Sequence, residues 1–281
     1  CFFFTGILYM KRFRYNEMNM KRVREAVRRR LRDLPHAFAW SRYSGISKFN
    51  RSCLENYKNK HLGQRCFIMG NGPSLANMDL TPLKNEITFG LNRIYLLFNK
   101  MPFIPTYYLS VNQLVLEQFA SEISALSMPK FLTWNRRNSF DEYDPNTNFL
   151  RLGLALRDKF NHKIDRKFYS GGTVTYVAIQ LAYIMGFAEI ILIGVDHSFA
   201  DKGVPNKTEV RTAEKDVNHF HPDYFPKGVK WQLPDLRRSE IAYSIAREEI
   251  EKDGRTILDA TENGNLNVFE KVEFSDLFHN E

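Results

Sequence analysis

The sequence predicts an α/β protein: a Rossmann-like, mostly parallel sheet with helices on both faces. From residue 61 onward, short apolar runs alternate with helical stretches, as βα units do. Several of those runs are continuously apolar, which is the pattern of strands covered on both faces. A basic helical extension over residues 1–60 and a lid over about 197–235 complete the expected organisation, with the main α/β domain spanning 61–281.

Within the extension, residues 16–34 carry Met20, Val23, Val27, Leu31 and Leu34 at offsets of 3, 4, 4 and 3. Lys21, Arg22, Arg24, Arg28, Arg29, Arg30 and Arg32 lie between them, which describes a basic amphipathic helix, and Pro35 is expected to end it. Such a helix either attaches to an anionic membrane surface or acidic partner, or docks on its own domain with a solvated outer face. Residues 36–60 read as a connector with a short helix. The opening run from Cys1 to Met10 is too short to cross a bilayer, which takes roughly 20 apolar residues. Because the first residue is Cys, Met10, Met18 and Met20 are alternative starts.

Candidate strands fall at 66–69, 87–91, 107–111, 130–133, 189–194 and 256–258. The clearest helices are 173–185 and 236–251, the second with Ile241, Ala242, Ile245, Ala246 and Ile250 on its inner side. Residues 197–235 are polar and rich in His, Asp, Lys, Pro and aromatics, and a segment this long inside a compact domain is usually a lid or binding loop. It follows a strand, so it is expected over the carboxyl edge of the sheet, where open α/β folds bind ligands.

Composition excludes some functions. The chain of 281 residues has 43% hydrophobic and 26% charged residues, enough to bury a full core. The net charge of +8 is local: residues 1–60 hold 15 Lys and Arg against 4 Asp and Glu, leaving 25 against 28 for residues 61–281. A basic groove across the main domain is therefore not expected, and neither is a nucleic-acid partner. Cys1, Cys53 and Cys66 lack the short paired spacing of a zinc site or disulfide framework, which points to a reducing, cytoplasmic compartment.

Four constellations can carry chemistry. Gly70-Asn71-Gly72-Pro73-Ser74 follows a buried strand, and its small residues would let backbone N–H groups approach a phosphate or ribose, although a tight structural turn needs the same residues. Asn92 and Asn112 end the next two strands, where they could read a base or ribose or simply form turns. Tyr169-Ser170-Gly171-Gly172-Thr173 opens a helix whose first turn offers an anion seat or only a cap, with Lys167 and Arg166 upstream as positive charge. Gly194-Val195-Asp196-His197 ends a strand, and His219, His221 and Tyr224 follow in the lid. His219 and His221 are candidates for a general base, for structural loop residues or for a metal pair, and Asp196 for orienting a histidine or holding a metal-bound phosphate.

In chain order, Gly70-Asn71-Gly72-Pro73-Ser74-Leu75, Asn92, Asn112, Ser170-Gly171-Gly172 and Gly194-Val195-Asp196 resemble two related groups over roughly residues 63–270. One is the MptE-like family of 6-hydroxymethylpterin pyrophosphokinases and motility accessory factors; the other is the bacterial lipooligosaccharide sialyltransferases. The segment 194–269 most resembles uncharacterised bacterial MptE-like proteins.

The sialyltransferase resemblance implies that Asn71, Gly72, Ser74, Asn92 and Asn112 hold the nucleotide of a CMP-sugar. It also implies that Ser170 and Gly171 sit by the donor carboxylate, and that His219 or His221 is the base. That family's Arg and Thr before the Ser-Gly pair are Lys167 and Tyr169 here, which leaves the donor sugar open. These resemblances imply a metal-independent glycosyltransferase that takes a nucleotide-sugar donor and a surface-glycan or small hydroxyl acceptor, with no cofactor. The alternative is a pyrophosphokinase using ATP and Mg, and a further one is a non-catalytic nucleotide-binding protein. A cytoplasmic protein, peripheral to the inner membrane face through its basic helix and able to form homo-oligomers, fits these expectations.

Overall fold

The computed structural model describes residues 20–41, 44–153 and 158–278. The apolar run 1–10, Met18 and the expected first turn at 16–19 lie outside them. The chain divides into two compact units, Cys1–Ser41 and Arg42–Glu281.

The first unit contains helix α1 (Met20–Ala39), which continues through Pro35 instead of ending there. Proline removes only its own N–H bond to the carbonyl one turn back. The bonds beyond it, Trp40 N to His36 O at 3.0 Å and Ser41 N to Phe38 O at 2.9 Å, do not need that nitrogen. No helix among the described residues is long and apolar enough to cross a membrane.

The second unit begins before residue 61. Helix α2 (Gly45–Glu55) starts at Ser44, whose hydroxyl accepts from the Ser47 amide. Its buried Asn50 donates from Nδ2 to the Phe149 carbonyl at 2.9 Å and accepts at Oδ1 from the Phe149 amide at 2.7 Å. One carboxamide thus stands in for a neighbouring strand and covers a sheet edge that would otherwise be open. The second compact unit thus starts at Arg42 and includes α2, which is polar in composition but packed.

Along the chain follow β1 (Arg65–Met69), β2 (Thr88–Leu91), β3 (Tyr107–Ser110), α3 (Gln113–Gln118), α4 (Ala120–Ser124), β4 (Lys130–Thr133), β5 (Thr147–Leu150) and α5 (Val174–Met185). Then come β6 (Glu189–Ile193), β7 (Thr208–Val210), β8 (Lys230–Gln232), α6 (Leu236–Lys252), β9 (Thr256–Asp259) and β10 (Glu270–Lys271). Eight strands form one parallel sheet in the order β10-β9-β6-β1-β2-β3-β4-β5, and β7 and β8 form a separate antiparallel hairpin.

The chain runs outward from β1 to β5, then returns to lay β6 on the other side of β1. The reversal makes the β1–β6 boundary the topological switch point of the sheet. Right-handed crossovers place the connections of the outward run on one face, and α5 and α6 on the other. Residues 175–185 of α5 are all buried, as expected of an all-round apolar helix packed against both β1–β3 and α6.

Helix α6 buries Ser239, Ala242, Tyr243, Ala246 and Ile250. Ile241, expected inside, is 41% exposed, because Tyr243 takes the inward position and rotates the buried stripe away from it. Strands β5, β7, β8 and β10 carry too few consecutive apolar residues to stand out in the sequence. The fully buried core strand β1, by contrast, is Cys66, Phe67, Ile68 and Met69 without interruption.

Candidate functional site

The loop after β1 is built for close approach. A Cβ on Gly70 would lie 2.2 Å from the Gly194 carbonyl oxygen, and one on Gly72 would lie 1.7 Å from Asp196 Oδ2. Without those side chains the loop zips onto the end of β6: Gly70 N donates to Ile193 O at 2.7 Å and Gly72 N to Gly194 O at 2.9 Å. Ser74, in the short 3₁₀ helix Pro73–Ala76, donates from its amide to Asp196 Oδ1 at 3.0 Å and from its hydroxyl to Asp196 Oδ2 at 2.8 Å.

Two expectations change here. The amides of Gly70, Gly72 and Ser74 are not open to a phosphate, because strand-like pairing and a carboxylate have already taken them. Asp196 does not orient a histidine either; both of its oxygens hold the loop closed at the switch point. Its neighbour His197 adopts a left-handed backbone (φ 54°) and contacts Glu240 Oε1 through Nε2 at 3.1 Å.

Along the rim, Asn92 has φ 47°, a conformation asparagine tolerates better than most residues. Its Oδ1 accepts from the Ser110 hydroxyl at 3.0 Å, and its amide donates to Leu109 O, which ties the end of β2 to β3. Asn112 caps α3, with Oδ1 accepting from Leu114 N at 2.9 Å and Val115 N at 3.4 Å. In Asn71, Oδ1 is buried and has no hydrogen-bond partner, an uncommon state for a buried acceptor.

The lid has a core of its own. Asn218, 3% exposed, accepts from Ala200 N at 2.8 Å and donates to Asp201 Oδ2 at 2.6 Å. Buried Arg211 pairs with the same carboxylate and stacks over Trp231, 4.8 Å to the ring centroid. The hairpin β7–β8 closes this arrangement.

His219 lies flat on Tyr224, with ring centroids 3.9 Å apart, and its Nδ1 is 2.9 Å from Asp216 Oδ2. Burial alone would raise the Asp216 carboxyl. The hydrogen bond and charge of His219, the Asn218 amide and Arg211 together hold it below the ordinary carboxylate range. An ionised Asp216 only accepts hydrogen bonds, so Nδ1 of His219 carries a proton, and whenever the ring is neutral the lone pair lies on Nε2. His221 has the opposite arrangement: its Nδ1 accepts from Asp223 N at 3.1 Å, which leaves the proton of the neutral ring on Nε2.

The lid meets the loops that follow β1 and β2 at Asn71 and Arg93. Phe220 N donates to Asn71 O at 3.1 Å. Arg93, 6% exposed at the end of β2, donates to Asp223 O at 2.8 Å and to Tyr224 O, and its guanidinium lies 3.8 Å over Phe119. The Arg93 amide in turn approaches the Tyr224 hydroxyl at 3.5 Å, and burial pushes that phenol well above its ordinary range.

At the start of α5, Thr173 Oγ1 accepts from Thr175 N at 3.2 Å, the expected cap. Fully buried Gln180 holds the preceding turn: its Nε2 donates to Tyr169 O at 2.7 Å, and its Oε1 accepts from Tyr169 N at 3.2 Å. Gly171 and Gly172 have φ of 54° and 86°, and a Cβ on Gly171 would strike Ala242 and Tyr176. Ser170 is half-buried and Lys167 is exposed. Tyr243 of α6 links this turn to the switch point, with its hydroxyl 3.5 Å from Thr173 Oγ1 and its ring 6.4 Å from that of His197.

Hydrogen bonds thus gather Gly70, Gly72, Ser74, Gly194 and Asp196 at the switch point; the Phe220 amide ties Asn71 to the lid, where His219 stacks on Tyr224 and the Tyr224 hydroxyl meets the Asn92 side chain. Among the described residues, Asn112, Lys167 and Ser170 make no hydrogen bond to either group. Sequence reasoning missed Arg93 and Asp216. Arg93 follows Asn92 directly, and Asp216 stands three residues before His219, the one spacing that could have signalled the pair.

Among the described residues, no three His, Cys, Asp or Glu side chains converge as a metal seat. No curated protein sequence matches the chain. Among solved structures, it is similar to the MAf glycosyltransferase from Magnetospirillum magneticum AMB-1, at 15% identity over 81% of this chain, with a TM-score of 0.48. It spans 38% of the length of that structure. It is also similar to the sialyltransferase CstII from Campylobacter jejuni in complex with a substrate analogue, cytidine-5'-monophosphate, at 15% identity over 75% of this chain and 85% of that one, with a TM-score of 0.44. Residues 43–202, more than half of the sequence, match the family model for 6-hydroxymethylpterin diphosphokinase MptE-like proteins, and the chain belongs to that family.

Proposed function

We propose that the protein is a nucleotide-dependent transferase, a metal-independent glycosyltransferase that uses a CMP-activated acidic sugar. The observation that carries this reading is the pairing of His219 with Asp216, on a lid whose Phe220 amide is bonded to the Asn71 carbonyl of the switch-point loop. A base oriented by a buried carboxylate, on a segment tied to the nucleotide loop, suits transfer to a hydroxyl.

In this reading His219 Nε2 takes the acceptor's hydroxyl proton as the oxygen attacks the anomeric carbon, and CMP leaves with the bonding electrons. Asn71 Oδ1, buried and unpartnered, is the acceptor atom a nucleotide donor group would satisfy. The turn at Ser170-Gly171-Gly172-Thr173, with Lys167 upstream, would seat the donor carboxylate. His221 is the weaker candidate base, because its Nδ1 is already an acceptor.

The family match favours a second reading, transfer of diphosphate from ATP to a hydroxymethyl group with Mg. The carboxylate that reading would recruit, Asp196, has both oxygens bonded to Ser74, so as arranged it does not fit a metal ligand. A screen of thermal stability with CMP, CMP-sugars, ATP and GTP, each with and without Mg, tests the two. Stabilisation by CMP in chelator supports the glycosyltransferase, and stabilisation by ATP only with Mg supports the diphosphokinase. Binding without any product, unchanged in His219→Ala, would leave a non-catalytic nucleotide-binding protein.

A further inference from the structure

We infer that helix α1 is a docking surface for an anionic lipid bilayer, lying in the headgroup plane with one defined face down. Val27, Leu31, Leu34 and Phe38 are 50%, 60%, 60% and 82% exposed. At 3.6 residues per turn these four fall within an arc of roughly 60°, a continuous apolar stripe along one side of the helix. Stripes like this normally find a cover, and within its own compact unit each of these four is open.

The arginines supply the complementary charge. Arg24, Arg28, Arg29, Arg30 and Arg32 are all exposed. Arg30 flanks the stripe on one side, Arg24 and Arg28 on the other, and Arg29 and Arg32 occupy the far face. Long side chains at the edges of an apolar stripe can lay their stems on the hydrocarbon boundary while the guanidinium groups meet phosphates. A protein groove would need acidic walls on both sides of a narrow apolar floor, whereas an anionic membrane presents that combination everywhere. Such a surface would bring the transferase to a lipid-linked acceptor, yet the docking stands or falls independently of the proposed chemistry.

Co-sedimentation of the full chain with phosphatidylcholine vesicles, with and without phosphatidylglycerol, tests this. Binding should be at least tenfold stronger to the anionic vesicles and should fall steeply as salt is raised. Leu31→Asp with Phe38→Asp, and separately Arg28→Glu with Arg30→Glu, should each weaken it at least tenfold. All four side chains are exposed, so the thermal midpoint should be unchanged. Equal binding to neutral vesicles, or binding unaffected by either pair, overturns the inference. Two other results would also overturn it: no vesicle binding with a lowered midpoint in Leu31→Asp/Phe38→Asp, meaning the stripe covers its own domain, or loss of a self-associated form in that variant without vesicle binding.

Discussion

His219 and Tyr224 are stacked almost perfectly parallel, 4° between ring planes, and the Tyr224 carbonyl is gripped by Arg93. The imidazole is therefore fixed from two sides: Asp216 sets its tautomer, and Tyr224 sets its plane and connects it to the sheet. In its proposed role as base, His219 would lose little entropy when it acts, because its side chain is already ordered.

Arg93→Ala should release the lid. Removing the guanidinium leaves the Asp223 and Tyr224 carbonyls without their donor and exposes Phe119, at a cost of about 3 kcal/mol. In a unit of this size that lowers the melting temperature by roughly 6–12 °C. Limited proteolysis should cut first within 197–235, and a variant that melts like wild type with an uncut lid would show that Arg93 is no anchor.

Asp216→Asn separates orientation from packing. The asparagine is nearly isosteric, but its amide can donate to Nδ1 and so favour the wrong tautomer. Turnover should fall roughly a hundredfold or more while the fold survives, as circular dichroism would show. His219→Ala should match that loss, whereas His221→Ala should cost less than threefold by the same order-of-magnitude reasoning.

Acid should loosen the lid through the same carboxylate. The folded-state pKa of Asp216 is depressed, so its contribution to stability is present above the ordinary carboxylate pKa of about 4 and is lost as pH falls through the lower folded value. Lid fluorescence from Trp231, followed below pH 4, should change earlier in wild type than global unfolding does. In Asp216→Asn that acid-dependent step should be missing.

Gly70→Ala and Gly72→Ala should differ in severity. The new methyl at residue 70 meets backbone, the Gly194 carbonyl, and should cost roughly 3 kcal/mol or more. At residue 72 it meets the Asp196 side chain, which can rotate away by giving up Ser74. Chemical denaturation should therefore rank Gly70→Ala well below Gly72→Ala in stability, and a reversed order would contradict the assigned contacts.

Much of this was legible in the sequence, and the exceptions have physical causes. Strands β1, β2, β3, β4, β6 and β9 and helices α5 and α6 were readable, because continuous burial demands apolar runs and an inward stripe. Strand β5 was not: the polar Thr147 and Asn148 are buried there and interrupt the apolar run, and the partner that completes the edge, Asn50, lies 99 residues away. The rim motifs were legible because close backbone approach restricts residue choice to Gly, Asn and Ser. What could not be read was which polar groups had already been taken. Asp196 looked free, yet it is bound by Ser74 from 122 residues away, and Arg93, which nothing in the sequence singled out, is buried under the lid.

The central claim is that the rim between β1 and β2, closed by the lid, seats a nucleotide. Calorimetric titration of CMP into the protein in chelator, repeated with Asn71→Ala and Asn92→Ala, tests it most directly. A single site that weakens at least tenfold in both variants, with circular dichroism showing both still folded, is the predicted result. No binding of CMP, or binding indifferent to both substitutions, would contradict it.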